Sequence, residues 1–328
     1  MSGVRQQYVA RDEDGMRLDR WFQTHFPQVT FGHLQKLLRS GQIRVDSGRA
    51  QSSTRLDSGN LIRIPPLDSG PPRDPNEINT RDAEALRDLI LYEDDELYVF
   101  NKSSGLASQG GSGVKRSVDS MLKSLPNKKG EAPRLVHRLD RDTSGCLVVA
   151  KTKAAAAHFG EMFSSHQTRK IYWAVVFGNP NPKQGSISCF LAKQPMGEGE
   201  QMMVVPQGTP GAVHSKSFYS TTDTAARRFA WVTLKPVTGR THQLRVHMAQ
   251  LGNPIMGDPR YFNIQNYTPP DEIAKGLHLH ARRIALPLRS GHILDISAPL
   301  PPHMQATFDV LGFDAERFDV QDVDPEKD

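Results

Sequence analysis

Residues 135–152 read LVHRLDRDTSGCLVVAKT. Between two apolar runs, His137, Arg138, Asp140, Arg141 and Asp142 occupy five of six consecutive positions, and Thr143, Ser144 and Gly145 follow. CLVVAKT is a continuous β-prone run and KAAAAHFGEMFSSH, just after it, has helical character. Asp140 therefore falls on a loop immediately before a strand, where rigid neighbours can aim its side chain. Such crowding suits a surface turn. It suits equally an active site in which a carboxylate must meet an anionic, sugar-bearing substrate.

Working outward, RKIYWAVVFG (169–178) reads as a strand carrying Tyr172. FAWVTLKPVTGRTHQLRVHMAQLG (229–252) reads as strand, turn and helix. There Thr238 is the expected cap, and Arg240, Thr241 and His242 lie near a helix N-terminus, whose free N–H groups and positive dipole suit a phosphate. At helical spacing Arg245 shares a face with Thr241 or His242. His242 and His247 are five apart, poor spacing for one metal on one helix, and no carboxylate stands where a zinc-protease motif needs it. Upstream, LILYEDDELYVFNKSSG (89–105) gives strand, polar turn and strand. The glycine-rich SSGLASQGGSG (103–113) lacks the phosphate-loop lysine and the dinucleotide spacing, so it is a loop that lets backbone approach a ligand, or a flexible surface loop.

The chain has 328 residues, 37% hydrophobic, enough for one large domain and a small appendage. No apolar run reaches membrane-spanning length and no secretory signal pattern opens the chain, so a cytoplasmic protein is expected. Cys146 and Cys189 cannot make a zinc site between them and are expected to be reduced and buried. The net charge is +5, but residues 314–328 hold seven acids against Arg317 and Lys327, so residues 1–313 carry +10. That excess suits a polyanion-binding surface, and the acidic tail is expected to be a solvated, disordered end. Residues 65–81 hold five prolines and few apolar side chains, as an extended linker does.

Ahead of the linker, DRWFQTHF and TFGHLQKLLRSGQ show helical spacing, the second capped by Thr30, with Leu34, Leu37 and Leu38 inward and Gly41 past its end. QIRVDSGRA and NLIRIPP read as short strands. Lys36, Arg39, Arg44 and Arg49 sit on the polar side, where a solvated face is the plain reading. In the order of these parts, residues 15–64 resemble the S4 domain, a small RNA-binding module, and the resemblance implies RNA contacts for Lys36, Arg39 and Arg44.

HRLDRDTSG, RKIYWAVV, VTGRTHQLRVH and NPIMGDPRY, behind an S4-like module, are together similar to the RluA family of pseudouridine synthases, nearest its RluC branch. The likeness spans nearly the whole chain, with gaps at the linker, at about 194–214, at 262–276 and in the acidic tail. One departure is visible, Ser103 in NKSSG where the family usually has proline, which leaves the stiffness of that loop open. The resemblance implies an α+β chain: an S4-like domain (1–64), a linker (65–81), and a catalytic domain (82–313) on a mixed, mostly antiparallel sheet with flanking helices. It implies isomerisation of uridines in RNA, most closely 23S ribosomal RNA, with no cofactor and no metal. Asp140 would be the carboxylate near ribose C1′, as nucleophile or as base, and Arg245 its ion partner. Tyr172 would pack on the base and help remove the C5 proton. Arg138 would fill the gap left by the flipped nucleotide, and Arg240 and His242 would contact RNA. A monomer is the favoured state.

Each residue also has a plainer reading: Tyr172 as core, Arg245 as a helix surface residue, His137 as a group satisfying backbone, and Asp142, Thr143 and Ser144 as turn formers. Two other functions stay open. A non-catalytic RNA-binding or ribosome-assembly protein would explain the charge, but not the trio Asp140, Tyr172 and Arg245. A glycosidase also breaks a C1′ bond but needs two separated carboxylates, and Asp142 is too close to Asp140 in sequence.

Overall fold

The computed structural model describes residues 4–67, 79–111, 114, 116–197, 199–262 and 270–318. Most of the Pro-rich stretch, parts of 103–113, 194–214 and 262–276, and most of the acidic tail lie outside the described residues. The chain divides into two compact units, Met1–Glu77 and Ile78–Asp328.

In the first unit β1 (Arg5–Tyr8), α1 (Leu18–His25), α2 (Phe31–Arg39), β2 (Arg44–Val45), β3 (Gly48–Arg49) and β4 (Leu61–Ile64) form a four-stranded sheet, order β1-β4-β2-β3, with two helices. Thr30 caps α2 by accepting from the His33 amide, and Leu34, Leu37 and Leu38 are buried, as expected. Strand β1, RQQY, has no apolar alternation; its pairing with β4 makes it a strand.

The second unit runs α3 (Thr80–Arg87), β5 (Ile90–Glu93), β6 (Leu97–Lys102), α4 (Val118–Met121), β7 (Arg134–Leu135), β8 (Ser144–Ala150), α5 (Lys153–Ser164) and β9 (Arg169–Phe177). It continues through β10 (Gln184–Met196), β11 (Gly199–Val205), β12 (Val213–Ala225), β13 (Phe229–Pro236), α6 (Gln243–Gln250), β14 (Leu279–Pro287), β15 (Ile293–Ser297), α7 (Pro302–Leu311) and α8 (Ala315–Phe318). One sheet has the order β11-β10-β12-β13-β9-β14-β8-β6-β5, with β15 on β14 and β7 on β8. Among the described strands only β8 and β14 pair in parallel, so the sheet is mixed and mostly antiparallel. Every residue of β8 is buried, because apolar clusters cover both faces: one holds Phe100, Leu147 and Val149, the other Val99, Val148 and Phe159.

Two expectations at the ends are corrected. The linker reading of 65–81 missed α3, which Asn79 caps and which buries Ala83 and Leu86. The tail, expected to be solvated from 314, begins with α8, whose Phe318 stands edge-on to buried Trp231 at 5.5 Å. Burying aromatic area there outweighs the solvation of a few charged neighbours. Cys146 is buried as expected, but Cys189 is half-buried; neither is in a disulfide.

The parallel contact explains Gly145. Its φ is +105°, and an added Cβ would lie 2.3 Å from the Ala281 carbonyl oxygen. Gly145→Ala is expected to destabilise the second unit by about 4 kcal/mol or more, read as a lower denaturation midpoint. Beside it Ser144, taken as a turn former, lies in β8 and its Oγ is 2.8 Å from His280 Nδ1.

His280, His247 and His278 are buried neutral imidazoles, and half-buried His137 behaves like them. Burial pushes His247, His278 and His280 down to about 4, and His137 to about 3. Unfolded histidines take up protons below about 6.5, while these resist in the fold. Stability is therefore full above pH 6.5 and drains as the pH falls toward 4, by about 3 kcal/mol for each such group. Urea midpoints across that window measure it; a flat profile would mean the imidazoles are charged in the fold.

Candidate active site

The loop Leu139–Thr143 enters β8 with Asp140 at its head. It is held from behind by the segment after β6. Lys102, fully buried at the end of β6, donates from Nζ to the carbonyls of Ser103 (2.9 Å), Leu106 (2.8 Å) and Arg141 (3.0 Å). The Gly105 amide donates to Arg141 O, Ser104 Oγ to Asp142 O, and Ser108 Oγ to Leu139 O. The glycine-rich segment was read as a loop approaching a ligand; through residue 108 it instead braces the Asp140 loop. Ser103 in place of proline keeps the carbonyl that Lys102 uses. Burial pushes the Lys102 ammonium down to about 7, against the pull of Asp142 and Asp140.

Asp140, 18% exposed, looks into a cleft of about 600 Å³. Arg138, Tyr172, Arg240, His242 and Arg245 line the same cleft. Tyr172 comes from β9, and burial raises its phenol well above the ordinary value, so it stays protonated. Arg245 Nη1 and His242 Nε2 each lie 4.0 Å from Asp140 Oδ2.

Arg245 was expected to be the ion partner of Asp140; its nearer partner is Asp258. Nε and Nη2 grip that buried carboxylate at 2.7 Å each. Asp258 also accepts from the amides of Arg260 and Tyr261. This fork leaves Nη1 facing Asp140, so the guanidinium is oriented independently of the carboxylate it faces. Asp258 lies in the quoted NPIMGDPRY, but nothing local marks it, since its partner is thirteen residues back on a helix.

The turn before α6 also differs from expectation. The helix starts at Gln243, and His242 is its N-cap in a left-handed conformation, φ 53°. Thr238 does not cap it. Gln243 folds back, its Oε1 accepting from Thr238 Oγ1 (2.7 Å) and the Arg240 amide (3.0 Å), so the turn is tied by a side chain rather than by helix ends. His242 Nδ1 is 2.9 Å from Tyr261 Oη. Arg240 donates from Nε to His214 O, while Arg138 is exposed on the cleft. His137 accepts the Val148 amide at 2.8 Å, the plain reading of that residue. Lys36 and Arg39 are exposed in the first unit, and Arg44 is pinned there to the carbonyls of Gly41 and Ser47.

Among the described residues no helix is long and apolar enough to cross a membrane. Residues 96–250 match the RNA pseudouridylate synthase family. A ribosomal large subunit pseudouridine synthase C from Salmonella typhi is 35% identical, over 92% of this chain and 95% of its own. The protein of that name from Escherichia coli K12 is 35% identical over 89% and 92%. Human RNA pseudouridylate synthase domain containing 4 superposes with a TM-score of 0.58 at 29% identity, covering 70% of this chain and 95% of that one. With identity of this level running through both units, and the HRLDRDTSG loop set into the cleft of a mixed, mostly antiparallel sheet, the chain belongs to the RNA pseudouridylate synthase family of isomerases.

Proposed function

We propose that this protein isomerises specific uridines to pseudouridine in large-subunit ribosomal RNA, with Asp140 as the carboxylate acting at the ribose. The bond from C1′ to N1 breaks, a bond from C1′ to C5 forms, the C5 proton leaves and N1 ends protonated. There is no net redox change, so the chemistry asks for a carboxylate and for groups that hold the freed uracil, and no cofactor. The observation that carries the reading is Asp140 in the cleft, faced at 4.0 Å by a guanidinium that Asp258 orients. The names of the relatives support the RNA class.

In this reading Arg138 fills the stack vacated by the flipped nucleotide, and Arg240 and His242 contact the RNA. Residues 1–64, as an S4-like module with Lys36, Arg39 and Arg44, add affinity, and residues 82–313 carry the chemistry. The protein works in the cytoplasm as a monomer. Mapping pseudouridine in ribosomal RNA from cells with and without the gene tests the function; an unchanged map would overturn it.

Tyr172 packs on the base, and its Oη accepts the C5 proton as the proton it already carries passes to water. Tyr172→Phe is expected to keep RNA binding and slow turnover by about 10²-fold. Wild-type turnover would leave Tyr172 a packing role only.

A further inference from the structure

We propose that Lys170 is the anion site for a phosphate flanking the target uridine, a second subsite in the cleft. The inference rests on the isomerase reading above and adds to it where the neighbouring nucleotide lies. Lys170 and Tyr172 are two apart on β9 and both line the cleft, so their side chains leave the same face of the strand, roughly 7 Å apart. Ile171 and Trp173, between and after them, turn into the opposite core.

Beside Lys170 stand an aromatic ring and a neutral imidazole. Phe163, at the end of α5, lines the cleft, stacks on His137 at 4.2 Å, and has Lys170 Nζ 6.0 Å from its ring centre. His137 is held neutral with its Nε2 taken by the Val148 amide, so it offers the lysine no charge. Among the described residues no carboxylate lies within ion-pair distance of Nζ, and no hydrogen bond ties it. Burial alone pulls the ammonium below its ordinary value. Lys102 shows the contrast: it is deeper and has three carbonyl acceptors. A half-buried cation left unpaired on a cleft wall is costly unless an anion completes it. In a cleft built for RNA, the anion beside the base pocket is a backbone phosphate.

The test is RNA binding and pseudouridine formation by the full chain over a series of KCl concentrations, using an unmodified, uridine-containing fragment of large-subunit ribosomal RNA. Lys170→Met is expected to raise Kd and KM roughly tenfold and to lower the slope of log Kd against log salt by about 0.7–0.9. Lys170→Arg restores both. Fragments with a neutral methylphosphonate on the 5′ or the 3′ side of the target uridine identify the phosphate. One of the two weakens wild-type binding and leaves Lys170→Met binding unaltered. Equal losses in both proteins, an unchanged salt slope, or a wild-type protein indifferent to both replacements would overturn the proposal. A wild-type protein that binds the fragment through Lys170 yet forms no pseudouridine would overturn the isomerase reading instead.

Discussion

Asp140→Asn is expected to abolish pseudouridine formation while leaving the protein folded and bound to RNA. The fold survives because Arg245 does not depend on Asp140: its guanidinium is already gripped twice by Asp258, so removing the facing charge orphans no buried cation. Asparagine keeps the size of the side chain and a carbonyl oxygen toward Arg245 and His242. What it loses is the charge and the nucleophilic or basic oxygen, and among the described residues no other carboxylate lines the cleft to replace it. Turnover, read as tritium released from uridine labelled at C5, should fall by roughly 10⁴-fold. Affinity, carried mainly by phosphate contacts, should hold or rise slightly as one negative charge leaves the site. A variant that turns over within about tenfold of wild type would show that the catalytic carboxylate lies elsewhere.

Lys102→Met should produce the second largest effect, from a residue that does not line the cleft. Methionine matches the stem, but the carbonyls of Ser103, Leu106 and Arg141 lose the Lys102 ammonium inside the protein; Ser103 O keeps the Leu106 amide and Arg141 O the Gly105 amide, so among the described residues Leu106 O is the one left without a donor. Leaving Leu106 O unsatisfied is expected to cost about 1–3 kcal/mol, seen as a lower denaturation midpoint. The consequence for activity follows from where those carbonyls are. Arg141 O is next to Asp140, so the loop that aims the carboxylate is loosened on its inner side, where only the Gly105 amide still holds Arg141 O. A displacement of about 1 Å at the reacting centre is enough for a roughly 10²-fold fall in kcat. Because Lys102 makes no contact with the cleft, RNA affinity should be near wild type. A variant with wild-type stability and kcat would refute the brace.

Both effects bear on how much of this protein is legible in its amino-acid sequence. Local patterns determined the strand after Asp140, read as 146–152 and found at 144–150, the strand 169–177, the helix 31–39 with its Thr30 cap and the placement of Asp140 on a loop before a strand. Such features depend on alternation, helical spacing and capping, which act over a few residues. The resemblance carried by HRLDRDTSG and its companion strings pointed to the family and to Asp140, Tyr172 and Arg245, which the fold gathers in one cleft. Only the tertiary structure decided that Asp258 grips Arg245, that Lys102 ties residue 103 to residue 141, and that Lys170 stands beside Phe163 with no ion partner among the described residues. It also decided that RQQY is a strand and that Phe318 seats on Trp231. These depend on partners far apart in the chain: Gly145 must be glycine because Ala281, 136 residues on, passes too close for a side chain. No local periodicity records such a contact, because the sheet order that creates it is settled by the packing of the whole unit.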